Sequence, residues 1–539
     1  MNGSEVVARS LRQHGVEAVF FVMGGPMTAL LDACSRLGLR MIDVRHEQAA
    51  AMMAHAYARL RRRPAVCIAS SGPGTANLTT GIASAYVDSA PVIALAGSSP
   101  VRALGLDAFQ EVDQVAMFRP ITRWTGRVYE TRRLAEMVDL AFRQAYSSRP
   151  GPVVLDLPGD VLNGEAGAEP VPAAGPLERT RPAAGAGQVE HAVQLLQAAA
   201  KPVIFAGSGV LWSEAEGELR EFIELAGIPF YTTPQGRGMV PEDHPLCYPA
   251  SRGTAFRDCD LILLIGSRQN YVTGHLRAPR WNAKAKLVQI DIDPAELSRS
   301  RPADVPIVGD ARTVLRQLTA AVRPDPPARR YSAWADGLAE LNAGRAARQE
   351  RQMATGARPI HPLRLCKEIR DFLPRDGILC VDGLVILDFA RQSIPYFHPH
   401  ALNSGPFGTM GVGVPFGLGA KAAMPDKQVV VLHGDGGFGM NGMEMDTAVR
   451  LRLPIICVVH NNGGWGTAGP QKVGGWLGHT RYDLMAAALG CHAELVEEPD
   501  AIRPALERAA ASGLPAVINV ITDPTAESRT TAFTEYATR

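Results

Sequence analysis

The stretch GDGGFGMNGMEMDTAVRLRLPIICVVHNN, residues 434–462, decides the fold. It follows a short apolar run at 429–432 and contains another at 455–459. Each run is continuous rather than alternating, the pattern of a strand buried on both faces of a parallel sheet. Gly434-Asp435-Gly436-Gly437 lies between a strand and a helix, and Asn461-Asn462 follows the next strand. In a doubly wound sheet two such turns meet at the carboxyl ends of neighbouring strands, where ligands bind. Asp435 and Asn462 offer hard oxygen ligands. With a backbone carbonyl near Gly464 they suit Mg2+, which keeps part of its coordination for phosphate oxygens. The bare amides of Gly436 and Gly437 at a helix start can cradle a diphosphate. A GDG turn alone is common; GDG followed by NN, each after a strand, is specific.

Outward from this stretch the same pattern recurs. VCIASSGPG followed by APVIALAGSS, in the first part of the chain, again gives strand, glycine loop, helix, strand and polar turn. Ser71 and Ser98 are as far apart as Asp435 and Asn462, and both regions end on a Pro-led strand, GPVVLDLP and LPAVINVIT. The pattern predicts two copies of one topology. Further buried strands are expected at 65–70, 92–96, 153–157, 203–206, 261–265, 288–292 and 517–521. Residues 163–187 and 323–360 read as connectors, the second built around a helix at 331–352. The expected architecture is α/β, with three doubly wound parallel-sheet domains at 1–162, 188–322 and 360–524 and a tail at 525–539.

The chain has 539 residues and a formal net charge of +1, which argues against a general nucleic-acid or membrane-surface binder. It has no apolar run long enough to span a bilayer, and its start carries no apolar signal core. The eight cysteines are scattered without a CxxC, a reduced, cytoplasmic pattern with neither a disulfide framework nor a zinc site.

The 434–462 stretch resembles the cofactor motif of thiamine-diphosphate enzymes of the acetohydroxyacid synthase superfamily. Arg45-His46-Glu47-Gln48 is similar to that family's RHEQ segment, and Ser71-Gly72-Pro73-Gly74 to its SGPG loop. The resemblance implies thiamine diphosphate and Mg2+ as cofactors. It sets Glu47 against N1′ of the aminopyrimidine, where a glutamate read alone would be a cap or a partner of Arg45. In Asn403-Ser404-Gly405-Pro406-Phe407-Gly408-Thr409-Met410-Gly411 it implies that the Gly408 carbonyl receives the 4′-amino group and that Met410 wedges the cofactor bent. It also implies that pyrimidine and diphosphate halves of one site come from different subunits, so a homodimer or homotetramer is expected.

Further segments point to a branch. Phe407–Gly413 and the ending VINVITDPTAESRTTAFTEYATR resemble 2-hydroxyacyl-CoA lyases, as does Ala108-Phe109-Gln110-Glu111, a segment the synthases share, with Gln110 implied at the catalytic centre. Leu264-Ile265-Gly266-Ser267-Arg268 is similar to a segment of oxalyl-CoA decarboxylase and the lyases whose arginine binds ADP. Asp291, on the next strand, is the expected carboxylate for an adenosine ribose. Arg252 matches an arginine that meets coenzyme A phosphates. Both arginines also read as surface charges. The tail has two readings, a terminus without fixed structure or a lid over coenzyme A with Arg529 on a phosphate. Glu494 stands where the relatives carry a tyrosine, and reads either as a group near the substrate hydroxyl or as a solvent-facing carboxylate. The expected reaction is cleavage of a 2-hydroxyacyl-CoA, with 2-hydroxyisobutyryl-CoA as the substrate, to formyl-CoA and a ketone or aldehyde. The rivals are an acetohydroxyacid synthase, an oxalyl-CoA decarboxylase and a catalytically silent nucleotide-binding protein.

Overall fold

The computed structural model describes residues 1–167, 179–466 and 473–527. Three parallel sheets organise it. The first holds β1 (Ala18–Phe21), β2 (Arg40–Asp43), β3 (Ala65–Ala69), β4 (Val92–Ser98), β5 (Trp124–Arg127) and β6 (Val153–Pro158), in the order β2-β1-β3-β4-β6-β5. The second holds β7 (Pro202–Ala206), β8 (Phe230–Thr232), β9 (Leu261–Ile265), β10 (Lys286–Asp291) and β11 (Val305–Val308), in the order β11-β10-β9-β7-β8. The third holds β12 (Ile378–Asp382), β13 (Leu402–Asn403), β14 (Val429–Gly434), β15 (Ile456–Asn461), β16 (His492–Val496) and β17 (Ala516–Ile521), in the order β13-β12-β14-β15-β17-β16.

The first and third sheets are therefore wound identically, strand for strand, and all their pairings are parallel. The equal loop spacing read from the sequence has this physical basis. Each sheet reverses its winding beside its first strand, between β1 and β3 and between β12 and β14, and a crevice opens there at the carboxyl ends. The central strands of both sheets are fully buried, which requires the continuous apolar runs that marked them.

The two domains share a core. Helix Glu47–Arg61, EQAAAMMAHAYARLR, is buried on nearly every side and packs against helix Gly413–Ala423. A helix apolar all round belongs between layers, not on a surface. Its alanines and Gly419 allow close approach: a Cβ at Gly419 would lie 2.5 Å from the Met53 carbonyl oxygen. Burial of side chains such as Met53 and Phe416 contributes roughly 1.5–3 kcal/mol each. The long helix Ala328–Met353 connects the second and third sheets. No helix among the described residues is long and apolar enough to cross a membrane.

Candidate active site

In the third sheet the crevice is built on Asp435. β14 ends at Gly434, and Asp435 opens helix Asp435–Asn441, 2% exposed. Its Oδ1 accepts the Gly436 N–H at 2.8 Å, while Oδ2 is buried with no hydrogen-bond partner among the described residues. Burial pushes the carboxyl up to about 6 against the pull of the Gly436, Gly463 and Gly464 N–H groups. An uncompensated buried carboxylate oxygen is costly unless a cation completes it. Asn462, also buried, donates its amide to the Gly466 carbonyl at 2.7 Å, which turns its own oxygen the other way. Tyr482 O–H donates to the Asp435 carbonyl at 3.1 Å and fixes the helix start. A Cβ on Gly436 would meet the Trp465 ring at 2.6 Å, and one on Gly437 the His433 ring at 3.0 Å. Only glycine fits this turn, and bare amides are what a diphosphate needs. Asp435 Oδ2 and the Asn462 amide oxygen are hard oxygen donors beside bare glycine amides, chemistry that fits Mg2+ with a diphosphate.

The neighbouring loop carries Gly408 and Met410. Gly408 has φ +70° and open space where a Cβ would stand, so its backbone can approach a ligand closely. Met410 is 38% exposed. Asn441 Nδ2 donates to the Gly411 carbonyl at 2.7 Å and ties this loop to the Asp435 helix.

In the first sheet Glu47 begins its helix, capped by His46, whose Nδ1 accepts the Gln48 N–H. The Glu47 carboxylate is buried. Oε2 accepts from Asn77 Nδ2 at 3.0 Å, and Oε1 lies 3.0 Å from where a Gly74 Cβ would be. The SGPG loop thus forms the wall beside this carboxylate. Gln110, at φ +60°, packs on Gly72, and its Oε1 accepts from Ser71 Oγ at 2.8 Å. The adjacent Phe109 is 85% exposed.

Two further clefts border the second sheet. One, at its switch point between β7 and β9, is lined by Gly209, Arg268 and Asp291, with Arg149, Arg179 and Asp88 around them. Asp291 ends β10, is buried, and is pushed up to about 6 by desolvation. Arg268 donates to the Val87 carbonyl on the first domain. The other cleft is lined by nine arginines against four carboxylates. Arg237 and Arg370 are spoken for by Glu242 and Glu350. Arg252 has no carboxylate partner among the described residues. Its guanidinium stands over the Phe256 ring, and desolvation with Arg280, Arg391 and Arg237 around it pushes its pKa down. A cleft in which arginines outnumber carboxylates in this way suits a polyanion. Glu527, in the tail, lines this same cleft. Arg529 lies outside the described residues.

Glu494 requires a correction. It sits mid-strand on the edge strand β16, opposite Ile518, which is itself opposite Val458. That level is well short of the strand ends that carry Asp435 and Asn462. Its carboxylate is held by Arg508 at 2.6 Å and His492 at 2.8 Å, and these partners lower its pKa against the opposing effect of burial. The structure does not bring it to the crevice.

Sequence reasoning passed over two groups near the crevices. Asp382, fully buried at the end of β12, accepts the Gly413 N–H at 2.8 Å and faces the His433 ring. Gln114 stands behind the SGPG loop. Neither carries a local motif.

Two identically wound sheets carry near their strand ends a glycine turn with a buried aspartate and a loop with a buried glutamate, the arrangement of an enzyme with paired binding domains. Comparison with known proteins agrees. The family descriptions "Thiamine pyrophosphate enzyme, N-terminal TPP binding domain", "central domain" and "C-terminal TPP binding domain" match residues 1–117, 189–318 and 387–520. The chain is 34% identical over 540 residues to a "Probable acetolactate synthase" of Mycobacterium bovis, covering 97% of this chain and 96% of the relative. It is 33% identical to a "2-hydroxyacyl-CoA lyase" of Arabidopsis thaliana, covering 97% and 96%. It is 32% identical to an "Oxalyl-CoA decarboxylase" of Escherichia coli strain K12, covering 97% and 95%. The chain belongs to the thiamine-diphosphate-dependent enzyme family.

Proposed function

We propose that this enzyme cleaves a 2-hydroxyacyl-CoA, with 2-hydroxyisobutyryl-CoA as the best fit, into formyl-CoA and a ketone or aldehyde. The observation that carries the reading is the arginine cleft around Arg252. Two small 2-oxo acids, the substrates of a synthase, have no use for it, whereas coenzyme A brings three phosphate groups. Glu527 lines this cleft, and Arg529, expected on a coenzyme A phosphate, follows two residues later in the sequence.

Thiamine diphosphate, when bound, supplies an electron sink that makes carbon–carbon cleavage beside a thioester carbonyl possible. Asp435, Asn462 and the Gly464 carbonyl would hold its Mg2+, with the Gly436 and Gly437 amides on the diphosphate. The Gly408 carbonyl and Met410 would meet its pyrimidine ring. Glu47, anchored through Oε2 by Asn77, keeps Oε1 for exchanging a proton with that ring. In the reaction the 2-hydroxyl gives up its proton, the C1–C2 bond breaks and its electron pair remains with C1. The former hydroxyl carbon leaves as the carbonyl product, and C1 takes up a proton to become formyl-CoA. Gln110, which accepts a hydrogen bond from Ser71 Oγ beside the SGPG loop, would meet the substrate hydroxyl. Arg268 and Asp291 would hold ADP at the switch point of the second sheet.

Exposed apolar side chains flank both half-sites: Leu106 and Phe109 by the first, Phe407, Met410, Met440 and Met443 by the third. A second copy of the chain covering them would bring one chain's Glu47 to its partner's Asp435 half, so a homodimer is the smallest active unit. The test of the reaction is a panel of 2-hydroxyacyl-CoA thioesters and the corresponding free acids. Formyl-CoA from the thioesters alone supports the reading; pyruvate turnover without coenzyme A supports the synthase reading, which the 34% identical relative favours.

A further inference from the structure

A buried polar chain runs behind the Glu47 site. Asp156, on β6, is 0% exposed, and Gln114 is 1% exposed. Asp156 Oδ2 accepts from Arg127 Nη2 and Gln114 Nε2, both at 3.1 Å, and Oδ1 accepts from Ser98 Oγ. Gln114 Nε2 also donates to the Gly97 carbonyl at 3.0 Å. Both donors of this amide are thus directed at acceptors, which leaves its oxygen only one orientation. Oε1 accepts the Gly72 N–H at 2.8 Å. Reversing the amide would set an NH2 group against an N–H and leave a buried donor unsatisfied, at about 1–3 kcal/mol.

Gly72 has φ +59° and ψ −107°, a backbone state for glycine, and it opens the turn that carries Gly74 and Asn77. Those two residues are the wall and the anchor of the Glu47 carboxylate. We infer that Gln114, oriented by Asp156, is a positioning residue that aims Glu47 at the coenzyme by locking Gly72. The inference rests on Glu47 being the group that exchanges a proton with the pyrimidine ring. Gln114 itself acts only through the loop.

The experiment compares wild type, Q114M, Q114E and E47Q. Amide hydrogen exchange across residues 70–77 is read in the cofactor-free protein, and thiazolium C2 hydrogen exchange is read in the loaded enzyme. Q114M keeps the volume and removes every hydrogen bond. It should deprotect 70–77 and slow C2 exchange about 10- to 100-fold, within the range of a misplaced acid–base group. Thiamine diphosphate affinity, governed by the Asp435 half, should change less than about threefold. Q114E keeps the acceptor but can donate to Asp156 only when its new carboxyl is protonated. Relative to wild type, its C2 exchange should recover as the pH falls from about 8 to about 6. Wild-type C2 exchange in Q114M, or equal losses of exchange, coenzyme affinity and melting temperature, would overturn the inference. Wild-type exchange in E47Q would instead overturn the reading of Glu47.

Discussion

The carboxylate of Glu444 accepts the backbone N–H groups of both Arg45 and His46, at 3.0 and 3.1 Å through Oε1. A side chain of the third domain thereby caps the segment that delivers Glu47, and Thr447 Oγ1 completes the clamp at 2.6 Å. The first domain is fastened to its own chain's third domain at Glu444, one helix beyond Asp435. The Glu47 and Asp435 half-sites of a single chain are therefore held by a joint that is not the crevice.

Burial pushes the Glu444 carboxyl up to about 7 despite the four bonds it accepts. Its unfolded value is about 4.3. A raised folded pKa means that the stability linked to this group is full below about pH 4.3 and is lost as the pH rises through about 7. The stability of wild type should therefore fall more steeply between about pH 4.5 and pH 7 than that of E444Q, a difference on the order of 3 kcal/mol across the window, read as the melting temperature at each pH. Parallel melting profiles would remove Glu444 from the pH dependence.

Asp435→Ala should abolish Mg2+-dependent binding of thiamine diphosphate, a loss of at least about 100-fold in affinity, while leaving the fold intact. The orphaned Oδ2 is the reason: the substitution removes a buried group whose counter-charge is external. Isothermal titration with and without Mg2+ reads both terms. Unaltered binding would mean that the metal sits elsewhere.

Neither E47Q nor Asp435→Ala should be active alone, yet a mixture allowed to exchange subunits should recover about a quarter of wild-type activity. Half the random dimers are hybrid, and each of these keeps one intact composite site. No recovery after verified exchange would place both halves of each site in one chain.

Arg252→Ala should raise KM for a CoA thioester by about 10- to 100-fold, the loss of one charge-assisted contact in a desolvated cleft. The affinity for thiamine diphosphate should not move. An unchanged KM would return Arg252 to an ordinary cleft wall.

The sequence made the central strands legible because their two-sided burial demands unbroken apolar runs. β3, β9 and β17 stand within a residue of where those runs lie. The edges were harder. β2 (RMID), β5 (WTGR) and β16 (HAELV) are half-solvated, so their residues need no periodic apolar face. The Asp435, Asn462 and Glu47 turns were legible because glycines and an asparagine pair at fixed offsets from strands are locally encoded. Glu494 was misleading: its partner Arg508 comes from helix Ile502–Ser512, and only the tertiary pairing shows that the carboxylate is already occupied. Gln114 and Asp156 meet across 42 residues, a distance at which no motif speaks.

The most direct measurement is the stoichiometric capture of formyl-CoA from purified enzyme given 2-hydroxyisobutyryl-CoA, thiamine diphosphate and Mg2+. The account predicts formyl-CoA and acetone in equal amounts, both absent with E47Q. Loaded enzyme that releases no formyl-CoA from any 2-hydroxyacyl-CoA, yet condenses pyruvate, would contradict it.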